Sequence, residues 1–153
     1  MDAEAVLVFD GDTVLVARSN SPPVKVRLAG IDAPEVGHAG MGGKPPNSQR
    51  TQQGGMASKR SLSELALHRQ VSVDSRATDS YGRLVAHLAV DGKSINEEQI
   101  RRGMAWEYSG YHSNEAYLAL QSYAQQARRG LWAQSNPTPP WEWRKQHPDK
   151  GAA

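Results

Sequence analysis

Two acidic segments stand out in this 153-residue chain: Asp10-Gly11-Asp12-Thr13, and Arg27-Leu28-Ala29-Gly30-Ile31-Asp32-Ala33-Pro34-Glu35. Each falls at a strand end, and a basic turn, Asp79-Ser80-Tyr81-Gly82-Arg83, follows well downstream. Carboxylates gather a hard divalent cation, and arginines gather a phosphate. Hydrolysis of a phosphodiester needs an oriented water, a base for it, a neutralised phosphate and a stabilised leaving oxygen. A cation serves the first and third needs. Glu35 has the reach for the second, and Arg27 and Arg83 can clamp phosphate oxygens. Taken alone, Asp10 to Thr13 reads as a hairpin turn, and Asp32 as the start of a turn before Pro34. Glu35 tips the balance, because a structural turn has no need of a third acid. The set reads as a metal-dependent phosphodiesterase.

The elements that must position these residues follow from pattern. Val6–Phe9 and Thr13–Ala17 are β-branched and apolar around the acidic turn, which predicts a hairpin. Val24 to Ile31 makes a third strand after Pro22-Pro23, and Pro34 ends it. Residues 36–55 are rich in glycine and proline and read as a long loop, with Lys44 and Arg50 its cations. A helix is expected from Met56 to Leu67, a fourth strand around Val71 and Val73, and a fifth from Leu84 to Val90. Ser94-Ile95-Asn96-Glu97 has capping-box spacing for a short helix stopped by Gly103. The last helix runs from Asn114 to Arg129, with Tyr117, Leu120, Ala124 and Ala127 at helical spacing. Residues 137–144 read as an extended Pro/Trp tail pinned by Trp141 and Trp143, and residues 145–153 as disordered. The expected fold class is α+β: a five-stranded Greek-key β-barrel of the OB type with three α-helices, forming one domain over residues 1–144.

Composition narrows the function classes. Mean hydropathy is −0.65 and the net charge only +2, although the isoelectric point is near 9.0. Twelve of the 18 basic residues are arginine, which favours bidentate phosphate contact. The pairs Arg101-Arg102 and Arg128-Arg129 are read as solvated helix ends. Such weak basicity argues against coating nucleic acid and is compatible with visiting it. With no cysteine, disulfides, thiolate metal sites and a cysteine nucleophile are excluded. No stretch approaches the roughly 18 apolar residues of a membrane helix. The acidic start, Met1-Asp2-Ala3-Glu4, carries no signal-peptide h-region. The five histidines share no ligand spacing and are read as structural or solvated.

These motifs, together with Asn96-Glu97, Gly103-Met104-Ala105, Gly130-Leu131-Trp132 and Pro140-Trp141-Glu142-Trp143-Arg144, resemble the staphylococcal (micrococcal) nuclease family in order and spacing from about residue 5 to 144. The resemblance implies an OB-fold nuclease that uses Ca²⁺ to cleave DNA and RNA, leaving 3′-phosphate and 5′-hydroxyl ends. It puts the metal aspartates at Asp12 and Asp32, a backbone-carbonyl ligand at Ala33, and Asp10 behind them. The catalytic glutamate falls on Glu35, the phosphate arginines on Arg27 and Arg83, and a terminal-phosphate contact on Tyr81. Tyr108 and Tyr111 are candidates for base stacking on single-stranded or flexible substrate. Ala33 stands where the founding enzyme has threonine, and Ser80 replaces a phosphate-touching lysine. The resemblance also implies a secreted or periplasmic protein whose leader could have been removed, with cytoplasmic the alternative; a monomer without an obligate protein partner is the default expectation. The rival function is a non-catalytic OB-fold nucleic-acid-binding or scaffold module. A degenerate module should have lost part of the acid–arginine set, and here the whole set is present.

Overall fold

The fold was described from a computed structural model covering residues 1–37, 50–108 and 113–148. Its strands are β1 (Asp2–Asp10), β2 (Thr13–Arg18), β3 (Ser21–Leu28), β4 (Ile31–Asp32), β5 (Gln70–Thr78), β6 (Leu84–Val90), β7 (Lys93–Ser94) and β8 (Trp106–Glu107). Its helices are α1 (Gly55–Ala66), α2 (Ile95–Arg101), α3 (Glu115–Gln126) and α4 (Pro140–Gln146), with a 3₁₀ turn at Gly130–Ala133.

The sheet order β3-β2-β1-β5-β6 closes on itself because β3 also pairs with β6. Closure gives a five-stranded barrel of the OB type with no open edge among those strands. The β3–β6 seam is parallel, with Val26, Arg27 and Leu28 opposite Leu84, Val85 and Ala86. It brings the strand carrying Arg27 beside the strand that Arg83 leads into. Alternating apolar residues face inward: Val14, Val16, Val26, Leu28, Val71, Val73, Ala86 and Leu88 are all buried. Leu62 and Ala66 of α1 join Ile95 and Ile100 of α2 and Tyr117 of α3 over the same core. β3 begins earlier than its prolines suggested. Pro22 and Pro23 sit at its exposed start, where a missing N–H costs no ladder bond.

The larger departure is at the C-terminus. Residues 140–146 are a helix rather than an extended tail, so the described residues hold four α-helices where three were expected. Pro140 opens α4 at a position where its fixed φ suits a helix and no N–H is required.

Three buried amides tie the barrel to its site. Asn96 accepts from the Leu88 N–H and donates to the carbonyls of Ala29 and Ala86, joining α2 to both strands of the seam. Gln99 donates to the carbonyls of Gly11 and Ser58 and accepts from the Ser61 hydroxyl, anchoring the acidic turn to α1. Gln52 accepts from the Glu35 N–H and donates to the Thr138 carbonyl, linking the stem of the long loop to the segment before α4. The turn also touches α1 so closely that a Cβ at Gly11 would stand 1.7 Å from Ser58 Oγ and 2.8 Å from Ala33 Cβ.

Asn96→Ala should therefore cost about 2–4 kcal/mol in urea unfolding, because it strands the buried Leu88 N–H and the Ala29 carbonyl rather than removing a balanced pair. Gly11→Ala should cost about 1–3 kcal/mol by overpacking the turn against α1. Wild-type denaturation midpoints for both variants would contradict this account of the fold.

Candidate active site

The acidic turn joins β1 to β2. Within it the Asp12 N–H donates to Asp10 Oδ1, and the Thr13 hydroxyl donates to Asp12 Oδ1. The other Asp12 oxygen, Oδ2, accepts from the Ala33 N–H at 2.9 Å, and that bond joins the two acidic segments. The Leu28 N–H donates to the Asp12 carbonyl, fixing the end of β3 beside the turn. Asp32 is carried on β4, which pairs with β8 so that Asp32 faces Trp106. Glu35 follows Pro34, and its backbone carbonyl and N–H are both held by Gln52.

Arg27 reaches into this group from β3. Its Nη1 lies 2.8 Å from Asp12 Oδ2 and its Nη2 3.5 Å from Asp32 Oδ1. Both aspartates are almost wholly buried, with side-chain exposures of 8% and 1%. Arg27 Nη1 is itself buried and makes no properly directed hydrogen bond despite its proximity to Asp12. Asp10, Asp12, Asp32, Ala33, Glu35 and Arg27 thus form one neighbourhood at the mouth of the barrel.

Charge is distributed unevenly over it. Burial, and then the negative charge of Asp12, push the Asp10 carboxyl well above its ordinary value. Burial also works against ionisation of Asp12, but Arg27 and the hydrogen bonds converging on it prevail, holding Asp12 below the usual carboxylate range. Asp32 is raised by burial, with Arg144 and Arg27 offsetting part of the rise.

The remaining expected residues are spread more widely. Arg83 belongs to the turn before β6, where its Nε donates to Asp79 Oδ2 at 2.7 Å and its guanidinium lies over the Tyr81 ring at 5.6 Å. Asp79 Oδ1 accepts from the N–H groups of Tyr81 and Arg83, which makes the turn rigid. Tyr81 is 83% exposed, a ring presented to solvent. Tyr108 lies beside the site, its N–H donating to the Gly30 carbonyl, but its ring is stacked on Trp141 at 5.2 Å. Tyr111 lies outside the described residues, as do His38, His112 and Lys44. Of the remaining histidines, His87 meets the Tyr117 hydroxyl, His147 stacks on Trp143, and His68 is exposed. Tyr123 is half-exposed beneath Arg129.

The pattern of the sequence did not point to Arg144. Its Nη2 donates to Asp32 Oδ2 at 2.6 Å, and its Nη1 to Asp32 Oδ1 at 3.1 Å and Glu35 Oε1 at 2.7 Å. These bonds make the Arg144 guanidinium still harder to deprotonate, the hydrogen bond to Asp32 being the main cause. Trp141 and Arg144 are three residues apart on α4 and so share a face. Helical spacing after a proline at N1 was the signal that could have found this.

The donors suit a hard cation in kind, being carboxylate oxygens and a nearby backbone carbonyl. Among the described residues, however, no three His, Cys, Asp or Glu side chains stand together as a ready cage. Guanidinium groups lie against the oxygens instead. The arrangement fits a divalent ion on condition that those contacts give way.

Comparison with known proteins agrees with this chemistry. The family model described as staphylococcal nuclease homologue matches residues 25–134. The acidic turn of Asp10 to Thr13 and helix α4 both fall outside that span. A protein named "uncharacterized endonuclease" from Haemophilus influenzae is 36% identical over 92% of this chain and 71% of its own length. Another of that name from Escherichia coli is 36% identical over 91% of the chain and 82% of its length. A "micrococcal nuclease" from Shigella flexneri is 33% identical over 93% and 79% respectively. With the OB-type barrel and an acid–arginine cluster at its mouth, the chain belongs to the staphylococcal nuclease homologue family and is a nuclease.

Proposed function

We propose that this nuclease is a Ca²⁺-dependent phosphodiesterase acting on DNA and RNA, preferring single-stranded or flexible substrate and leaving 3′-phosphate and 5′-hydroxyl ends. The observation that carries the reading is Arg27 lying between the buried carboxylates of Asp12 and Asp32, with Glu35 one short turn away. Burying that many charges is costly unless they pair or do chemistry, and clusters of this kind are concentrated at functional sites.

In this scheme Asp12, Asp32 and the Ala33 carbonyl hold the cation, and Asp10 supports Asp12 from behind. When bound, Ca²⁺ supplies a Lewis acid that draws charge from the phosphate. Glu35 accepts the proton of the attacking water, a role open to a carboxylate whose side chain keeps partial solvent contact. Arg27 and Arg83 take the non-bridging phosphate oxygens, where charge grows in the transition state. Tyr81 meets the terminal phosphate from its exposed turn. Tyr108 and Tyr111 offer faces for unpaired bases, which suits flexible strands better than a stacked duplex. Tolerance of both sugars favours a secreted or periplasmic location, where host RNA is not exposed to the enzyme. The fold and the comparisons supply no argument for a protein partner, and a monomer suffices for the chemistry.

Digestion of denatured DNA by the purified protein should proceed in Ca²⁺, stop in EGTA, and yield 3′-phosphate ends. Persistence in EGTA, or 5′-phosphate products, would overturn the scheme. Glu35→Gln should lower turnover by about 10²–10⁴-fold with the fold kept. Arg83→Ala should lower kcat by about 10²–10³-fold with a smaller change in KM, since its contact strengthens in the transition state. Wild-type rates from either variant would remove that residue from the mechanism.

A further inference from the structure

Arg144 grips the same carboxylates that the reading above gives to the metal and to the base. A Ca²⁺ ion needs its oxygens at about 2.3–2.6 Å. The two Arg144 nitrogens already stand 2.6 and 3.1 Å from the two Asp32 oxygens. Asp32 is only 1% exposed whereas Arg144 is 39% exposed, so the guanidinium covers the solvent side of a carboxylate that is otherwise enclosed. An ion and this guanidinium cannot both sit on Asp32 in the observed geometry.

The mounting of Arg144 suits a group that must leave. Helix α4 is seven residues long and follows the prolines Pro137 and Pro139. Its described contacts with the rest of the chain are ring contacts and a few side-chain bonds. Trp141 stacks on Tyr108 and meets Trp106 edge-on at 6.3 Å. Gln52 holds the Thr138 carbonyl ahead of the helix, and Arg50 holds the Pro148 carbonyl beyond it. No strand ladder would have to break for α4 to tilt. The charge balance also favours a stand-in cation, because Asp32 without Arg144 would keep only its 3.5 Å contact with Arg27, and an unmatched buried carboxylate is strongly disfavoured.

Building on the reading above, we propose that Arg144 is a tethered cation that competes with the divalent ion for Asp32 and Glu35, so that α4 sets the metal affinity of the site. Being part of the chain, this competitor acts at constant strength whatever the protein concentration. When the ion enters, Arg144 swings off Asp32 and frees the Glu35 carboxylate for its water. Trp141 moves with it, uncovering the face of Tyr108.

Calorimetric titration of the full chain with CaCl₂, without nucleic acid, tests this, with tryptophan emission followed in parallel. Arg144→Gln should bind Ca²⁺ at least tenfold more tightly than wild type. Arg144→Lys, which keeps the charge but cannot bridge both Asp32 oxygens, should bind several-fold more tightly. Wild-type emission should change with the same midpoint as binding, since Trp141 leaves Tyr108. Equal or weaker Ca²⁺ binding by Arg144→Gln overturns the competition while the Ca²⁺ site stands. If that variant fails to fold, the lysine variant decides alone by the same criterion. Absence of Ca²⁺ binding in wild type and variants alike overturns both the competition and the metal site beneath it.

Discussion

Everything near the mouth of this barrel depends on keeping two carboxylates charged where water is scarce. Asp12 and Asp32 are buried, and Arg27 standing between them, together with Arg144 on Asp32, makes that tolerable. The requirement reaches far into the architecture. Arg27 must be rigid, so β3 is paired on both sides, by β2 and by β6. Asp12 must face it, so the turn is held from below by Gln99 and pressed against Ser58 with no room for a Cβ at Gly11. Asp32 must meet both, so a two-residue strand is fastened to Trp106-Glu107. The barrel is in this sense a frame for a single electrostatic arrangement.

The frame and the acids were legible in the sequence because their signals are local. The spacing of Val14, Val16, Val26 and Leu28 announces strands facing a core, and short acids beside glycine announce turns between them. Asp79 to Arg83 is similarly self-contained, its carboxylate bonding to residues two and four positions on. What could not be read is what depends on distant partners. Gln99 looks like any polar helix residue until its amide meets Gly11, 88 positions earlier. Asn96 gains its role from Ala29 in the same way. Residues 137–144 misled because proline density argues for an extended chain, whereas one of those prolines starts a helix. Arg144 then lies 112 positions from the aspartate it holds, beyond the reach of any local pattern.

The aromatic residues divide along a similar line. Trp106, Trp132 and Trp141 make edge contacts that attach the C-terminal segment to the body of the protein. Tyr108 belongs to this set in the present structure through its stack on Trp141, while Tyr81 stays free on its turn. The two tyrosines therefore differ in accessibility, Tyr108 being partly covered by the tryptophan beside it. The family match ends at residue 134, so Trp141 and Arg144 lie outside the matched span while Trp106, Tyr108 and Trp132 lie inside it.

The parallel seam between β3 and β6 has a consequence for how the protein comes to be. It joins segments far apart in the chain, so closing it requires a large loss of chain entropy before any bond is gained, and such contacts form late. Arg27 lies in that seam and Arg83 immediately precedes it. A chain that has formed its hairpins and helices but has not closed the barrel leaves the strand of Arg27 apart from the strand that Arg83 leads into. The relation between these two distant segments should consequently arrive with the last topological step of folding rather than with secondary structure.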